Sequence, residues 1–230
     1  MEIDVSTASE KISVCNLQSR SKLRQAIQTT TWVLVPITLI AGIWYPLFGF
    51  ITLAVMITGI VGGFVNGRFV CGWLCPRGAF FDRVLTYISP KKEIPKIFKN
   101  RTFRWFVLAA LMSSMALQIA QNPGNIYHWG TVLVRICFIT TVVGIILAVI
   151  YHPRAWCTLC PMGTIQSEAG KGKGPLIMDE GCIECGACEK ACPIKIKIVG
   201  NVDEKGRLKD IDCLKCNECQ LACPKNILHF

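Results

Sequence analysis

The chain has 230 residues, 52% of them hydrophobic, with a mean hydropathy of +0.43, above the usual range for soluble domains. Its formal net charge of +10 is not the signature of a nucleic-acid partner, because there is no basic stripe with interleaved aromatics and no zinc-finger spacing that includes histidine. Fourteen cysteines read as disulfides outside the cell and as metal or thiol chemistry inside it, so topology decides their meaning.

Residues 1–27 form a polar tail, followed by an uncharged run from Gln25 to Gly67 of 43 residues. As one helix that run would stretch roughly 64 Å, about twice the hydrocarbon core. It must fold back, and Tyr45-Pro46-Leu47-Phe48-Gly49 supplies the break, giving spans over 28–45 and 49–66. A cleaved signal peptide is disfavoured for the first span, since no small-residue cleavage site follows and a second apolar segment comes at once. A second apolar block divides at Gln121-Asn122-Pro123-Gly124-Asn125 into spans over 103–121 and 131–151.

Four Lys or Arg precede span one, nine lie between residues 67 and 104, and eleven follow residue 151, while the other two connections have none. By the positive-inside rule both termini are cytoplasmic, in a multi-pass protein of the bacterial inner membrane. Trp44, Tyr45, Tyr127 and Trp129 fall at the outer ends of the spans, and Trp32, Trp105, Tyr151 and Trp156 at the inner ends, as aromatic belts require. The expected fold is an all-α membrane four-helix bundle of two hairpins, followed by a small α+β domain that holds eight of the fourteen cysteines. The boundaries are a tail over 1–27, a membrane domain over 28–164, a linker over 165–178 and the cysteine-rich domain over 179–230.

Arg68-x2-Cys71-x3-Cys75-Pro76-x-Gly78 follows span two, and Arg154-x2-Cys157-x2-Cys160-Pro161-x-Gly163 follows span four. The membrane half thus reads as a duplicated hairpin plus motif, with four thiols on the cytoplasmic surface. Three roles compete for Cys71, Cys75, Cys157 and Cys160: redox thiols, a metal or third cluster site, and plain structural cysteines. Arg68 and Arg154 are expected to lower the nearby thiol pKa values, which favours the first two.

The tail holds Cys182-x2-Cys185-x2-Cys188-x3-Cys192-Pro193 and Cys213-x2-Cys216-x2-Cys219-x3-Cys223-Pro224, the two-cluster ferredoxin run written twice. Three closely spaced thiolates serve one cubane and the fourth serves the other. Cluster one therefore takes Cys182, Cys185, Cys188 and Cys223, and cluster two takes Cys213, Cys216, Cys219 and Cys192. Structural zinc would prefer paired CxxC halves with a longer gap, often with histidine. Residues 197–211 read as a small hairpin insertion between the repeats.

Of the remaining residues, His128 and His152 lie at opposite ends of span four, roughly 36 Å apart along a helix, so they cannot sandwich a haem. No C-x-x-C-H attachment site is present either, and neither haem nor flavin is expected. Apart from Arg104 at the very start of span three, Arg135 is the one charge inside a span, one turn from the outer end, and reads as snorkelling. Tyr127, His128 and Trp129 suit an aromatic belt better than a quinone site. Cys15 and Cys137 have no partner at motif spacing and read as structural or incidental.

Cys-Gly-Trp-Leu-Cys-Pro after a second span, Trp-Cys-Thr-Leu-Cys-Pro after a fourth and a duplicated ferredoxin tail resemble the NapH/MauN family of membrane ferredoxins, whose core NosR-type regulators and CcoG-like proteins share. The similarity runs from about residue 28 to 230, and the second motif departs from the family's usual CxxxCP. The resemblance implies quinol-linked electron transfer by a NapH-like quinol dehydrogenase component of an anaerobic respiratory system, with two 4Fe-4S clusters, a quinone and a partner oxidoreductase or ferredoxin-type subunit. The length fits a NapH-like component better than full-length NosR or CcoG. The competing readings are an assembly or regulatory factor that handles or reduces a metal ion, and a redox sensor with a membrane anchor.

Overall fold

The computed structural model describes residues 5–90 and 92–230, with side chains for residues 15–90 and 92–230. The first four residues of the expected tail lie outside the described residues. Backbone polar groups have no partner in lipid, so an apolar run must satisfy them within itself, as a helix does. Among the described residues four helices are long and apolar enough to cross a membrane: Cys15–Trp44, Pro46–Asn66, Arg101–Ala120 and Ile126–Ile150. Apolar side chains such as Ile40, Ile43, Val61, Val65, Phe106 and Leu117 are exposed on them, which is the surface a bilayer covers. The chain is a membrane protein.

The first span differs from expectation at its start. Helix α1 (Val5–Thr31) runs through the tail and leads into α2 (Leu34–Trp44) with a short break between them. Pro36 has no N–H to give Trp32, whose carbonyl accepts instead from Val35 N at 3.1 Å, so the helix bends rather than ends. A 3-10 turn at Pro46–Phe48 then reverses the chain into α3 (Gly49–Asn66). A Cβ on Gly49 would strike the carbonyl of Gly130, and one on Gly130 would strike that of Pro46. Only glycines allow this close approach.

After α3 come α4 (Phe69–Trp73) and α5 (Pro76–Arg83); after α6 (Lys96–Lys99), α7 (Arg101–Ala120) and α8 (Ile126–Ile150) come α9 (Ala155–Leu159) and α10 (Pro161–Ala169). Each half thus repeats one order: span, five-residue helix, Cys-Pro, second helix. Proline opens α5 and α10, where its missing N–H has no helical partner to serve. The extra residue in the first motif is Leu74, which is exposed.

Asn100 caps α7, its side chain accepting from Thr102 N at 3.0 Å. Asn125 caps α8, accepting from Tyr127 N at 3.0 Å and His128 N at 3.3 Å. That cap starts the helix before the expected boundary at 131. His128 Nε2 lies 2.8 Å from the carbonyl of Gln118, tying the third span to the fourth. Helix α8 is the most buried of the spans and packs against α2, α3 and α7.

Beyond residue 170, strands β1 (Ile177–Met178) and β2 (Leu228–His229) pair antiparallel, with α11 (Ala187–Ala191) and α12 (Glu218–Ala222) between them. Leu176, Ile194, Ile196, Ile198, Leu208, Leu214 and Leu228 form their core. Within 197–211 a Val202↔Leu208 antiparallel bridge, flanked by Asp203 N donating to the carbonyl of Arg207 at 2.9 Å and Lys209 N to that of Asn201 at 3.0 Å, makes a short hairpin where one is expected.

Candidate metal centres

The two cysteine loops of the tail repeat each other in backbone conformation. Glu184 and Gly186 flank Cys185 with φ of 52° and 68°, and Lys215 and Asn217 flank Cys216 with φ of 52° and 65°. Lys195 and Asn226, each three residues past the CP cysteine, also have positive φ. Alternation of left- and right-handed residues turns successive N–H groups inward and makes an anion-binding concavity of the kind found at Fe–S sites. Non-glycine residues held there cost about 1–3 kcal/mol each and persist when their surroundings over-determine them.

Cys182, Cys185, Cys188 and Cys223 line one pocket, and Cys192, Cys213, Cys216 and Cys219 line another. Each group takes three thiols from one loop and the fourth from the other. Ile196 N donates to Cys192 Sγ at 3.5 Å. Burial pushes the Cys213 thiol up to about 12 and the Cys216 thiol up to about 11. Left to themselves these thiols hold their protons at neutral pH, and metal binding must displace them. Among the described residues no three of His, Cys, Asp or Glu are close enough to hold a single metal ion; a cubane takes its thiolates at separate corners, farther apart. The donor set, the repeated loops and the crossed grouping fit 4Fe-4S clusters.

The CP motifs are locked together by exchange between the halves. Arg68 Nη2 donates to the carbonyl of Cys157 at 2.5 Å, and Arg154 Nη1 to the carbonyl of Cys71 at 3.0 Å. A Cβ on Gly78 would strike Arg154, and one on Gly163 would strike Arg68, which gives each glycine of the motif the same task. The one-residue difference in motif length therefore leaves Cys71 and Cys157 in equivalent places.

Each arginine is anchored by a carboxylate shared with a second arginine. Arg154 pairs with Asp82 at 2.6 Å, as does Arg24 at 3.1 Å; Arg68 pairs with Asp212 at 3.1 Å, as does Arg104 at 2.7 Å. Burial would raise both carboxyls, but Arg154 and Arg24 hold Asp82, and Arg68 and Arg104 hold Asp212, below the usual carboxylate range.

Cys71, Cys75, Cys157 and Cys160 line one cavity of about 160 Å³, whose remaining wall comes from all four spans and from the short helices of the CP motifs. Arg68 and Arg154 lower the pKa values of the thiols beside them as expected, but the net shift is upward. Burial pushes Cys71 up to about 12 and Cys157 up to about 11, outweighing Arg68 and Arg154, because desolvation penalises a thiolate more than the arginines repay. Of the two readings of Cys137, the structural one holds: it is buried and accepts from Arg77 Nη2 at 3.2 Å. Arg135, Tyr127 and Cys15 are exposed, apart from this cavity.

The tail sits directly on the first CP motif. Trp73 Nε1 donates to the carbonyl of Lys215 at 3.0 Å, and Arg24 pairs with Glu218 at 2.7 Å. Gly72 lies against Leu214, where a Cβ would strike the carbonyl, and Cys71 packs against the core that holds Cys216 and Cys219. The opposite loop, with Cys182, Ile183 and Cys185, is exposed.

Comparison with known proteins agrees with this layout. Residues 48–95 and 134–174, which include both CP motifs, match the family described as 4Fe-4S binding domain. Residues 181–228 match the 4Fe-4S dicluster domain. Two uncharacterized proteins of Methanocaldococcus jannaschii are similar: one is 26% identical over 82% of this chain and 81% of its own length, the other 27% identical over 66% and 70%. The methylamine utilization ferredoxin-type protein MauN of Methylorubrum extorquens is 30% identical over 56% of this chain, which spans about half (48%) of that protein. No solved structure matches. The resemblance read from the motifs is borne out as a similarity: part of the chain is similar to MauN, and 4Fe-4S binding domains match both its membrane half and its tail, which makes it an iron-sulfur electron-transfer protein.

Proposed function

We propose that the chain exchanges electrons between the quinone pool of the bacterial cytoplasmic membrane and a partner oxidoreductase, as a NapH-like quinol dehydrogenase component with both termini in the cytoplasm. One observation carries this reading: the cavity among the four spans ends on the CP cysteines, and the ferredoxin half rests on the other side of Cys71. The membrane part of the cavity is walled by apolar residues such as Leu34, Ile51, Val55, Leu111 and Ile136, which suits the ring and tail of a quinone. Gln166, 2% exposed, lines it, and among the described residues its Oε1 has no hydrogen-bond partner, which makes it an acceptor for a quinol hydroxyl.

In the ferredoxin half, Cys182, Cys185, Cys188 and Cys223 would hold one cluster and Cys192, Cys213, Cys216 and Cys219 the other. When bound, each cluster supplies a one-electron carrier. The loop of Cys213 to Cys219 rests against the membrane half, while the loop of Cys182 and Cys185 is exposed and offers Ile183 as an apolar contact for the partner.

The test places the anaerobic holoprotein in liposomes with menaquinol or ubiquinol analogues and follows the visible absorption of the clusters. Bleaching by quinol is expected, slowed several-fold by Gln166→Leu, which removes the hydrogen-bond acceptor. Clusters that no quinol reduces, in a protein that instead binds copper or reduces metal ions through its thiols, would replace this reading with an assembly factor.

A further inference from the structure

We propose that the cleft between α5 and the tail is a binding site for a phosphate group, carried by an anionic lipid headgroup or free in solution. The cleft encloses about 440 Å³, within the roughly 300–1,000 Å³ of small-molecule sites. Arg83 at the end of α5 lines one side, and Lys190 of α11 and Lys195 after Pro193 line the other. None of the four CP cysteines lines it, so it is separate from the cavity among the spans.

Fixed charge selects the kind of occupant. Five cations line the cleft, Arg24, Arg83, Arg154, Lys190 and Lys195, against two carboxylates, Asp82 and Glu218. Arg154 and Arg24 hold Asp82, and Arg24 also holds Glu218, so both carboxylates are committed. Among the described residues no carboxylate pairs with Arg83, Lys190 or Lys195. Arg83 Nη2 donates to the carbonyl of Gln25 at 3.0 Å and Lys195 Nζ to that of Lys190 at 3.1 Å, and neither carbonyl brings a net charge. These three cations line the cleft and not the thiol pocket of Cys192, Cys213, Cys216 and Cys219, so the anion that balances them enters from the cleft. A phosphate presents oxygens on every side and can accept from opposite walls, and arginine and lysine are the side chains that take it.

Position brings the lipid headgroup within reach. Gln28, and His152 and Pro153 just past the end of α8, also line the cleft. It therefore opens at the membrane face, where basic pockets beside spans hold anionic headgroups. A phosphate that bridges Arg83 to Lys190 and Lys195 ties the tail to the membrane half at a second point, apart from the ion pairs of Asp212.

Native mass spectrometry of the intact holoprotein in a non-ionic detergent counts the occupant without any electron transfer, so this site stands or falls separately from quinol as the donor. Phosphatidylglycerol, phosphatidylcholine and inorganic phosphate are titrated in turn. One phosphatidylglycerol per chain should bind, about tenfold or more tightly than phosphatidylcholine. Inorganic phosphate that binds once per chain and displaces the lipid would assign the site to free phosphate; lipid that stays bound against it would assign the site to the headgroup. Arg83→Gln, Lys190→Gln and Lys195→Gln should each weaken binding about tenfold, the loss of one charge-assisted hydrogen bond. Lys171→Gln, exposed and outside the cleft, should leave it unchanged. Phosphatidylglycerol held no more tightly than phosphatidylcholine, with no phosphate bound, would overturn the proposal, and that comparison needs no variant to fold. One-to-one binding that survives the double variant Lys190→Gln/Lys195→Gln unchanged would overturn it as well.

Discussion

Replacing Asp212 by alanine is expected to cost about 3–5 kcal/mol and to release the ferredoxin half from the membrane face. The carboxylate accepts from Arg68, Arg104 and Ser167 at 2.6–3.1 Å, and its side chain is 15% exposed against 0% for Arg68 and 6% for Arg104. Removing it strands two buried guanidiniums in a region of low dielectric, which is far more costly than losing a surface ion pair. Arg68 would also lose its anchor while still holding the carbonyl of Cys157, so the damage reaches the CP cysteines. Limited proteolysis in the exposed turn over 171–174 and the denaturant midpoint of the purified protein measure it: the variant should be cut faster and unfold earlier. A change within about 0.5 kcal/mol, the size of an ordinary surface substitution, would contradict the interface described.

The second large effect separates crossed from local ligation in the tail. Cys223→Ser should remove about four iron atoms per chain and the same spectral features as Cys188→Ser, although Cys223 belongs to the other motif. Cys192→Ser should match Cys216→Ser in the same way. The pockets already group these thiols so: Cys223 with Cys182, Cys185 and Cys188, and Cys192 with Cys213, Cys216 and Cys219. If Cys223→Ser instead reproduced the loss seen in Cys219→Ser, each loop would close its own cluster and the crossed sets would be wrong.

What could be read from the sequence and what could not divide along physical lines. The spans were legible because lipid excludes charge, so the two uncharged runs and their Pro/Gly/Asn breaks mark helices and turns directly. The start of the first helix was not, because the polar run from Val5 to Gln25 has no apolar stripe to announce it; tertiary contacts of α1 with α5 and α12 hold it instead. The cysteine spacings of the tail carried the grouping of its eight thiols, since a motif repeated at fixed spacing folds the same way twice. In the membrane half, spacing brought out the four CP cysteines but hid their electrostatics. Arg68 and Arg154 stand three residues before a cysteine in sequence, yet each reaches the carbonyl of the other half's cysteine. Burial, invisible in a local motif, then reverses the expected direction of the thiol shifts. Arg77 and Cys137 are 60 residues apart, a pairing no spacing rule searches for. An arginine directly after a Cys-Pro pair, where the following helix begins at the membrane face, is the signal that could have pointed to it.

This membrane protein is built to carry iron-sulfur clusters next to its bilayer face. Metal and labile-sulfide analysis of anaerobically purified protein tests this most directly. Iron and sulfide in equal amounts, at least about eight of each per chain, are the predicted result. About two zinc ions per chain with no labile sulfide would contradict it.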